Sequence, residues 1–381
     1  MPNLGDVKSA ALVALHFAPV HASHMIAQSK ILASLGYSVT FLLDPRYNGF
    51  ADFCSLGRVV WKKEVGNWLE TVPPSIVLIA NAAVGNMAFA LKSRRRGARV
   101  FYLFHEPISL IDHRREGWKD LAKLAIAQIT SIVTVSLSDQ VLVPSRFALG
   151  SYWQHFGVFN RNARVMELLF DDEVEDEVVK RSLDSRANFS FLGYASDAHD
   201  FPAYIAFVKW AHSRDALLRF AVATRSDISE LIDKDCELRA LERQGVIRIQ
   251  HGRVLSQAEM LDWYLKSYCV WNAYRYCTQS GVLPRAFMCG TPVLGVDRGS
   301  LADYVLPGQT GEIVSDGRDF PGILDALRKI RTSLPTYIEQ CRKAFFESFH
   351  WQAGCPRLRE IVNAGMPRYT TGILNTQSDR T

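Results

Sequence analysis

The chain has 381 residues, of which 48% are hydrophobic and 22% are charged, and its formal net charge is +5. This length is more than one ordinary core supports, so we expect two domains, and the composition is typical of a globular protein rather than a disordered one. Its seven cysteines are scattered without a CxxC motif, which argues against a disulfide framework or a cysteine metal site.

In the first half, short apolar strands alternate with amphipathic segments of helix length, a pattern typical of parallel α/β architecture. We predict strands near Ala11–His16, Ser38–Leu43, Ser75–Ile79, Val100–Phe104, Val141–Val143 and Arg164–Leu168. The acidic run from Phe170 to Arg186 is poor in aromatic residues, and we predict that it connects the two domains.

The second half repeats this alternation. We predict strands near Phe189–Leu192, Leu218–Val222, Ile247–Gln250, Cys269–Asn272, Pro292–Gly295 and Glu312–Val314. The predicted fold class is therefore α/β, with two doubly wound Rossmann-like domains, residues 1–172 and 173–362, that face each other across a cleft. The polar segment 363–381 lacks periodicity and is predicted to be a loosely ordered tail.

The segment from Arg275 to Val305 has the pattern of an anion-binding site. A loop, Thr278–Gly281, opens a short helix, and the strand that follows runs into a second loop that contains Gly299 and Ser300. Two such loops that feed helices place backbone N–H groups and positive dipole ends at one edge of a parallel sheet. The sequence therefore predicts that a nucleotide or another phosphate binds at this edge.

Four segments carry a resemblance to a known family. They are the strand, loop and helix that end in Leu32–Thr40, the strand end Phe104–Glu106, the segment Ser138–Ser145, and the helix, glycine and strand of Arg285–Leu294. Together they resemble the GT-B glycosyltransferases, and within them glycosyltransferase family 4. The resemblance implies a GT-B fold and a metal-independent, retaining hexosyl transfer in polysaccharide biosynthesis. It implies a nucleoside-diphosphate sugar donor, a saccharide or lipid-linked saccharide acceptor, and no cofactor.

The chain departs from this family at four charged positions. The two glutamates that the family places eight positions apart are replaced by Cys277 and Arg285. An arginine and a lysine of the family, counted from Gly193, are replaced by Tyr194 and His199. Ribose hydroxyls therefore need another acceptor, and the leaving diphosphate needs other cations.

Charge builds on the diphosphate as its bond to the anomeric carbon lengthens, and at least one side-chain cation is expected to balance it. We predict that Arg275, as a catalytic residue, and Arg253 supply this charge, with Arg285 or a protonated His199 contributing. A guanidinium fork suits phosphate geometry. The alternative is that each arginine is a surface residue or pairs with a carboxylate.

Further candidates lie at predicted strand ends. His105 follows a central strand and is the predicted proton carrier, with Glu106 beside it to orient the ring or contact the acceptor. The alternative for His105 is a packed or capping histidine. In the first strand–helix loop, we favour His24 over His21 as the residue on the acceptor side. These two histidines have no carboxylate companion, so no metal site is expected.

The predicted donor pocket lies mainly in loops of the second domain. Asp303 is a candidate for the ribose hydroxyls, although a helix-start carboxylate is an equally good interpretation. The full set of predicted donor-binding residues is Gly193, Tyr194, His199, Arg253, Gln279, Ser280, Gly281, Val282, Arg285 and Asp303.

Basic residues are concentrated in the first half. Residues 1–170 carry 18 Lys and Arg against 11 Asp and Glu, with one cluster at Lys92–Arg99 and another at Arg114–Lys123. Such a face could contact an anionic membrane or a polyanionic acceptor, although the favoured alternative is a solvated helix end, which is what most charge runs are. Because the sequence shows no export signal, we expect a cytoplasmic protein, peripheral at the inner membrane face, with no nucleic-acid partner.

Two alternatives to a transferase stay open. A non-catalytic GT-B protein would bind a nucleotide, a glycan or a partner enzyme, which the four altered positions favour and the intact Ser280–Gly281 and Gly299–Ser300 loops oppose. A sugar-nucleotide epimerase of the same fold would release free sugar without an acceptor. Turnover of a nucleotide sugar separates a transferase from the non-catalytic protein.

Overall fold

The computed structural model describes residues 8–49, 51–107, 118–275 and 277–364, and within them the strands form two parallel sheets. The strands of the first sheet are β1 (Ser9–Ala14), β2 (Ser38–Leu43), β3 (Arg58–Trp61), β4 (Ile76–Ile79), β5 (Arg99–Leu103), β6 (Gln140–Val143) and β7 (Ala163–Val165). They pair in the order β3-β2-β1-β4-β5-β6-β7, and every pairing is parallel.

The second sheet has the same doubly wound character. Its strands are β8 (Asn188–Leu192), β9 (Arg219–Ala223), β10 (Ile247–Gln250), β11 (Ser267–Asn272), β12 (Val293–Val296) and β13 (Gly311–Val314). They pair in the order β10-β9-β8-β11-β12-β13, again all parallel. In each sheet the strand order reverses beside the first strand, so that a crevice opens at the carboxyl ends of the central strands.

Helices cover the sheets. Those between strands of the first sheet are α1 (Ala22–Ser34), α2 (Val65–Thr71), α3 (Val84–Arg95), α4 (Trp118–Leu137) and α5 (Arg146–His155). Those that follow are α6 (Asp176–Arg181), α7 (Phe201–His212), α8 (Ser229–Lys234), α9 (Cys236–Arg243), α10 (Gln257–Leu265), α11 (Val282–Met288), α12 (Phe320–Thr332), α13 (Leu334–Ala344) and α14 (Trp351–Asn363). Among the described residues, none of these helices is long and apolar enough to cross a membrane.

The central strands are apolar on both faces because both faces are covered. In β1, Leu12 and Ala14 pack into one cluster of buried side chains, and Ala11 and Val13 pack into the cluster on the other side of the sheet. Successive side chains of a strand point to opposite faces, so a strand buried on both sides needs a continuous apolar run. This is why short apolar runs, rather than alternating ones, identify the strands in the sequence.

The predicted α/β class with two doubly wound domains is confirmed. All of the predicted strands are present, and Ile247–Gln250 has the bounds predicted for it. One strand is missing from the prediction, β3, whose four residues begin with the exposed Arg58 and are followed by Lys62 and Lys63. A short edge strand with polar neighbours lacks the apolar run that marks the central strands.

The chain crosses between the two sheets twice. The backbone N–H of Phe170 donates to the carbonyl of Phe349 at 2.8 Å, and the N–H of Trp351 donates to the carbonyl of Phe170 at 2.9 Å. Beyond this paired crossover, α14 packs against α1 and buries Leu358 and Ile361 in the first-sheet core. The boundaries at 172 and 362 remain a prediction, and the segment before 362 contributes side chains to the first core.

Candidate active site

The carboxyl ends of strands from both sheets meet across a cleft. His105 follows β5, and its Nδ1 lies 3.4 Å from Oε1 of Gln279, which belongs to the loop after β11. Ser145 follows β6, caps α5 and donates its hydroxyl to the carbonyl of Thr278 at 2.8 Å. Loops of the two sheets are therefore in direct contact at the place where doubly wound sheets bind ligands.

Three imidazole rings, His21, His24 and His105, form a histidine cluster on the first-domain side of this cleft. The rings of His21 and His105 are stacked with centroids 4.3 Å apart, and the centroid of His24 lies 5.7 Å from that of His105. Nδ1 of His24 lies 3.0 Å from the carbonyl oxygen of Leu169. Because a carbonyl only accepts, this Nδ1 carries the proton.

Burial holds the histidine cluster neutral. It lowers the pKa of His105 to about 4, and burial together with the charge of His105 lowers the pKa of His24 to about 3 and that of His21 to about 2. Nδ1 of His21 and Nε2 of His105 are buried without a hydrogen-bond partner among the described residues. A buried polar atom left unsatisfied costs about 1–3 kcal/mol, so these two nitrogens mark a face that a ligand or water would satisfy.

Arg285 reaches this face from the second domain. It lies in α11, its Nη2 donates to Oγ of Ser23 at the start of α1 at 3.1 Å, and its guanidinium lies 5.7 Å from the ring of Phe170. Its charge opposes protonation of His24, and it lowers the pKa of Glu173, which burial raises. A fixed cation therefore lies at the contact between the domains, held by a hydroxyl and a ring.

The two glycine-containing loops of the second domain are joined to each other. The N–H of Ser300 donates to the carbonyl of Cys277 at 2.9 Å. A Cβ on Gly299, whose φ is +65°, would lie 2.1 Å from that same carbonyl oxygen. Ser280 donates its hydroxyl to Oδ1 of Asn272 at 3.0 Å, which fixes the loop to the end of β11. The two predicted loops are therefore joined by a backbone hydrogen bond and a close glycine contact.

One part of the predicted anion-binding site is wrong. The sequence predicts that the second loop feeds a helix, but a single 3₁₀ turn, Leu301–Asp303, follows it, because Pro307 and Gly308 redirect the chain toward β13. Asp303 is exposed in that turn, and its N–H donates to the carbonyl of Ser300 at 3.3 Å. Its role as a ribose acceptor remains a prediction.

The loop after β8 lies against α11. Gly193 has a φ of +141°, and a Cβ at this position would lie 3.5 Å from Cγ2 of Val282, the first residue of α11 after the exposed Gly281. Nδ1 of His199 lies 2.7 Å from Oγ of Ser196. Burial lowers the pKa of His199, so the protonated His199 expected from the sequence is disfavoured, and a neutral ring is expected instead.

The two arginines predicted to neutralise the diphosphate are paired with carboxylates. Nε and Nη2 of Arg275 lie 3.0 and 2.8 Å from Oδ1 of Asp200. Nη1 and Nη2 of Arg253 both contact the carboxylate of Glu259, the residue that completes the capping box of α10. The structure thus matches the alternative interpretation of both residues, and a phosphate role for either remains a prediction.

Glu106 is exposed at the end of β5. Burial raises the pKa of the Cys277 thiol to about 12, and the charge of Glu106 contributes to this shift. The thiol itself donates to the carbonyl of Gln279 at 3.0 Å. The position that the sequence resemblance matches to a glutamate therefore holds a neutral, buried thiol, and the charge of Glu106 in the first domain acts on it.

Three further residues lie at these strand ends outside the predicted set. The sequence favours His24 over His21, yet both rings stack on His105, and that of His21 is the nearer, with centroids 4.3 Å apart against 5.7 Å. Arg225 follows β9, and its guanidinium lies 5.4 Å from the ring of the half-exposed Tyr194. Asn272 is fully buried at the end of β11, and its Nδ2 has no partner among the described residues. A strand-end position is the signal that could have identified Arg225 and Asn272.

Comparison with known proteins shows the fold. No family model and no curated protein matches the chain. Solved structures match over nearly its whole length. Sucrose-phosphate synthase from Thermosynechococcus elongatus is 14% identical with a TM-score of 0.69, covering 93% of this chain and 98% of that one.

Two further structures agree. Anabaena Alr3699/HepE in complex with UDP is 12% identical with a TM-score of 0.68, covering 93% of this chain and 99% of that one. WaaG, a glycosyltransferase involved in lipopolysaccharide biosynthesis, is 12% identical with a TM-score of 0.65, covering 94% and 100%. At such low identity the likeness concerns the fold alone. The chain has the GT-B fold shared by these glycosyltransferases, and the assignment to family 4 remains a prediction.

Proposed function

We propose that the chain transfers a sugar from a nucleoside-diphosphate sugar to a hydroxyl of a saccharide or lipid-linked saccharide acceptor. The observation that carries this proposal is the position of Arg285, a cation of the second domain held at Ser23 of the first, beside the histidine cluster and its two unpartnered nitrogens. The likeness to Alr3699/HepE in complex with UDP-glucose, and to WaaG, supports a nucleotide-sugar donor and a saccharide acceptor.

The proposed reaction breaks the bond between the anomeric carbon and a diphosphate oxygen. The leaving oxygen takes the electron pair, the acceptor oxygen forms the new bond, and the acceptor proton passes to the leaving diphosphate. Attack on the face that the diphosphate leaves would retain the anomeric configuration, as the family resemblance implies. Rate enhancement then depends on groups that hold the diphosphate charge more strongly in the transition state than before it.

Three residues supply what this reaction needs. Arg285 donates to the diphosphate oxygens through its planar fork. Arg225, beside Tyr194, adds a second cation at the second-domain edge of the cleft. His105, with a pKa of about 4, is neutral near pH 7, and because its Nδ1 carries the proton toward Oε1 of Gln279, its unpartnered Nε2 accepts a hydrogen bond from a hydroxyl of the donor sugar.

The proposed transfer uses no metal ion. The described residues contain no group of three His, Cys, Asp or Glu side chains placed to hold one. In this proposal side chains supply the cations that balance the diphosphate.

The test is turnover of a panel of nucleoside-diphosphate sugars that differ in base and sugar, with release of the nucleoside diphosphate followed by mass spectrometry. A ligand that binds the folded chain and is present at about 100 times its dissociation constant adds about 2.7 kcal/mol of stability, so thermal shifts select the donors to assay. We expect turnover that Arg285→Ala lowers at least roughly tenfold and that the surface control Arg328→Ala retains. A panel without binding or turnover would refute the proposal.

A second candidate is a non-catalytic GT-B protein that binds the same ligand. The observation that favours it is the neutral, buried thiol of Cys277 at a position where the family has a glutamate, together with the pairing of Arg275 and Arg253 to carboxylates. This candidate predicts donor binding in the thermal-shift panel without release of nucleoside diphosphate, even over long incubation with acceptors.

A further inference from the structure

A pocket of about 690 Å³ lies in the first domain at the edge of the sheet opposite the cleft. It is built around the amino ends of β5, β6 and β7, where Arg99, Gln140 and Ala163 begin these strands, and we call it the amino-edge pocket. From Arg99 the chain runs along β5 to His105 at the cleft, so at about 3.3 Å per residue the two places are roughly 20 Å apart. The pocket is therefore separate from the candidate active site, and its volume falls within the range of about 300–1,000 Å³ that is usual for small ligands.

The charge of the amino-edge pocket is positive. Among the described residues, four arginines and a single carboxylate line it, namely Arg94, Arg99, Arg161, Arg164 and Asp139. Oδ2 of Asp139 already accepts from the backbone N–H of Val100 at 2.7 Å, and Nη2 of Arg94 lies 3.9 Å from its Oδ1. One carboxylate does not balance four guanidinium groups, so the pocket attracts anions.

Two of the four arginines serve the ends of helices. Nη1 of Arg94 donates to the carbonyl of Leu137 at the end of α4 at 2.6 Å. Nη2 of Arg99 donates to the carbonyl of Ala364, just beyond α14, at 3.0 Å. The carboxyl end of a helix carries about half a negative charge, which these two cations offset. The charge that remains for a ligand therefore comes mainly from the other two arginines.

Those two arginines, Arg161 and Arg164, are available to a ligand. Arg161 is exposed and has no partner among the described residues. Nη1 of Arg164 lies 2.6 Å from Oε1 of Glu360, whose side chain is 71% exposed. An exposed pair of this kind contributes little to stability, so a more highly charged ligand can take the place of Glu360.

Two buried polar groups at the pocket lack partners. Gln140 is only 8% exposed, and its side-chain amide has no hydrogen-bond partner in the part of the chain that the structure describes. Nε of Arg99 is buried and has none there either. Gln140 pairs across the sheet with Phe101, two residues after Arg99, so the side chains of Gln140 and Arg99 point to the same face. Because an unpaired buried polar group is costly, these groups mark a place that a hydrogen-bonding ligand or water would satisfy.

The loop between α5 and β7 gives the pocket an apolar wall. Val158 and Phe159 of this loop line the pocket and are 84% and 43% exposed. The loop is tied to the end of α4, because Nδ2 of Asn160 donates to the carbonyl oxygens of Val135 and Ser138 at 3.1 and 2.7 Å. The apolar wall therefore stands in a fixed position beside the arginines.

We propose that the amino-edge pocket binds a small organic phosphate, a molecule that carries a phosphate group on an apolar or ring-shaped portion. Arg161 and Arg164 hold the phosphate through their planar forks, the Gln140 amide donates to a phosphate oxygen, and the ring lies against Phe159. A phosphate monoester carries between about 1.5 and 2 negative charges near pH 7, so arginines favour it over a carboxylate. This proposal does not depend on the proposed function, because binding here requires neither donor nor turnover.

The test is isothermal titration calorimetry of the full chain with four probes, namely phenyl phosphate, benzoate, benzyl alcohol and inorganic phosphate. We expect phenyl phosphate to bind more tightly than each of the other three. Arg161→Ala and Arg164→Ala should each raise its dissociation constant on the order of tenfold, and Gln140→Leu should raise it roughly threefold. Since Gln140→Leu removes no internal hydrogen bond, its urea midpoint should be at least that of the wild type, whereas a purely structural role of the amide would lower it.

Arg58→Ala is the matched control, since Arg58 is an exposed arginine that begins β3, the strand at the far side of the same sheet. Its dissociation constant for phenyl phosphate should stay within about twofold of the wild type. Hydrogen–deuterium exchange locates the site: phenyl phosphate should slow exchange around residues 136–140 and 158–164. Phenyl phosphate that binds no more tightly than benzoate or benzyl alcohol, arginine variants that bind it as well as the wild type, or protection confined to residues 277–285 at the cleft would overturn the proposal.

Discussion

Replacing Arg285 with alanine is expected to weaken binding of a nucleoside diphosphate far more than it weakens the fold. In the structure the guanidinium donates to the Ser23 hydroxyl at 3.1 Å and lies 5.7 Å from the Phe170 ring. A single hydrogen bond of this kind contributes about 0.5–1.5 kcal/mol to the free energy of unfolding. The variant should therefore remain folded.

The effect on binding is larger because phosphate oxygens carry charge. Hydrogen bonds to charged groups contribute about 1.5–3 kcal/mol, which corresponds to roughly a 10-fold to 150-fold rise in the dissociation constant. Arg285→Lys keeps the charge but loses the planar fork, so its dissociation constant should lie between those of the wild type and Arg285→Ala. The rate of sugar transfer should fall at least as much as the affinity, because charge on the diphosphate grows in the transition state.

Isothermal titration calorimetry with the nucleoside diphosphate that binds best measures these constants. Arg328→Ala is the matched control, since Arg328 is an arginine of the same domain whose guanidinium is paired with Asp325 at the surface. Its dissociation constant should stay within about twofold of the wild type, given the small energies of exposed pairs. The reasoning is refuted if Arg285→Ala binds as tightly as the wild type, or if Arg328→Ala loses as much affinity.

Three further predictions concern stability and loop geometry. The Arg342 side chain is 9% exposed and pairs with two aspartates of the interdomain segment at 3.0 and 2.6 Å, so Arg342→Ala should lower the free energy of unfolding by about 3–5 kcal/mol. In urea titrations Arg328→Ala, an exposed control, should cost less than about 1 kcal/mol. Between pH 6.5 and about 4, His105 binds a proton in the unfolded chain but not in the folded chain, where its ring is buried. His105 should therefore lower the free energy of unfolding by about 1.4 kcal/mol for each unit by which the pH falls. His105→Gln should remove that part of the slope, and an unchanged slope would contradict the buried neutral ring. Gly299→Ala should abolish nucleotide binding, because the new Cβ would lie 2.1 Å from a backbone carbonyl oxygen. Gly308 also has a positive φ, +77°, but open space surrounds it, so Gly308→Ala should lower the free energy of unfolding by only roughly 1 kcal/mol and leave the nucleotide affinity unchanged. Equal nucleotide affinity in the two glycine variants would contradict the joined-loop geometry.

The sheets could be predicted from the sequence because strands buried on both faces are continuous apolar runs, and Ile247–Gln250 shows how closely such a run locates a strand. The sequence did not show which helix packs against which sheet. Helix α14 carries the same amphipathic pattern as its neighbours, yet it packs on α1 across the paired crossover at Phe170. Periodicity gives the face of a helix that is buried, and it does not say which sheet covers that face.

The side-chain partners at the site could be predicted only where they are local. Ser256 and Glu259 form a capping box three residues apart, a signal that could have shown that Glu259, and with it Arg253, is engaged at a helix start. Arg275 pairs with Asp200, which is 75 positions away, and no pattern along the chain indicates such a pairing. Arg285 was identified by its departure from the family pattern, and its contact with Ser23 required the fold.

Hydrogen–deuterium exchange of the full chain, with and without a saturating nucleoside diphosphate, tests the binding of a diphosphate between the two sheets most directly. We predict that the ligand slows exchange on both sides of the cleft, around residues 21–24 and 105 of the first domain and around residues 277–285 of the second. Protection confined to one domain, or exchange that the ligand leaves unchanged, would contradict a site built from both.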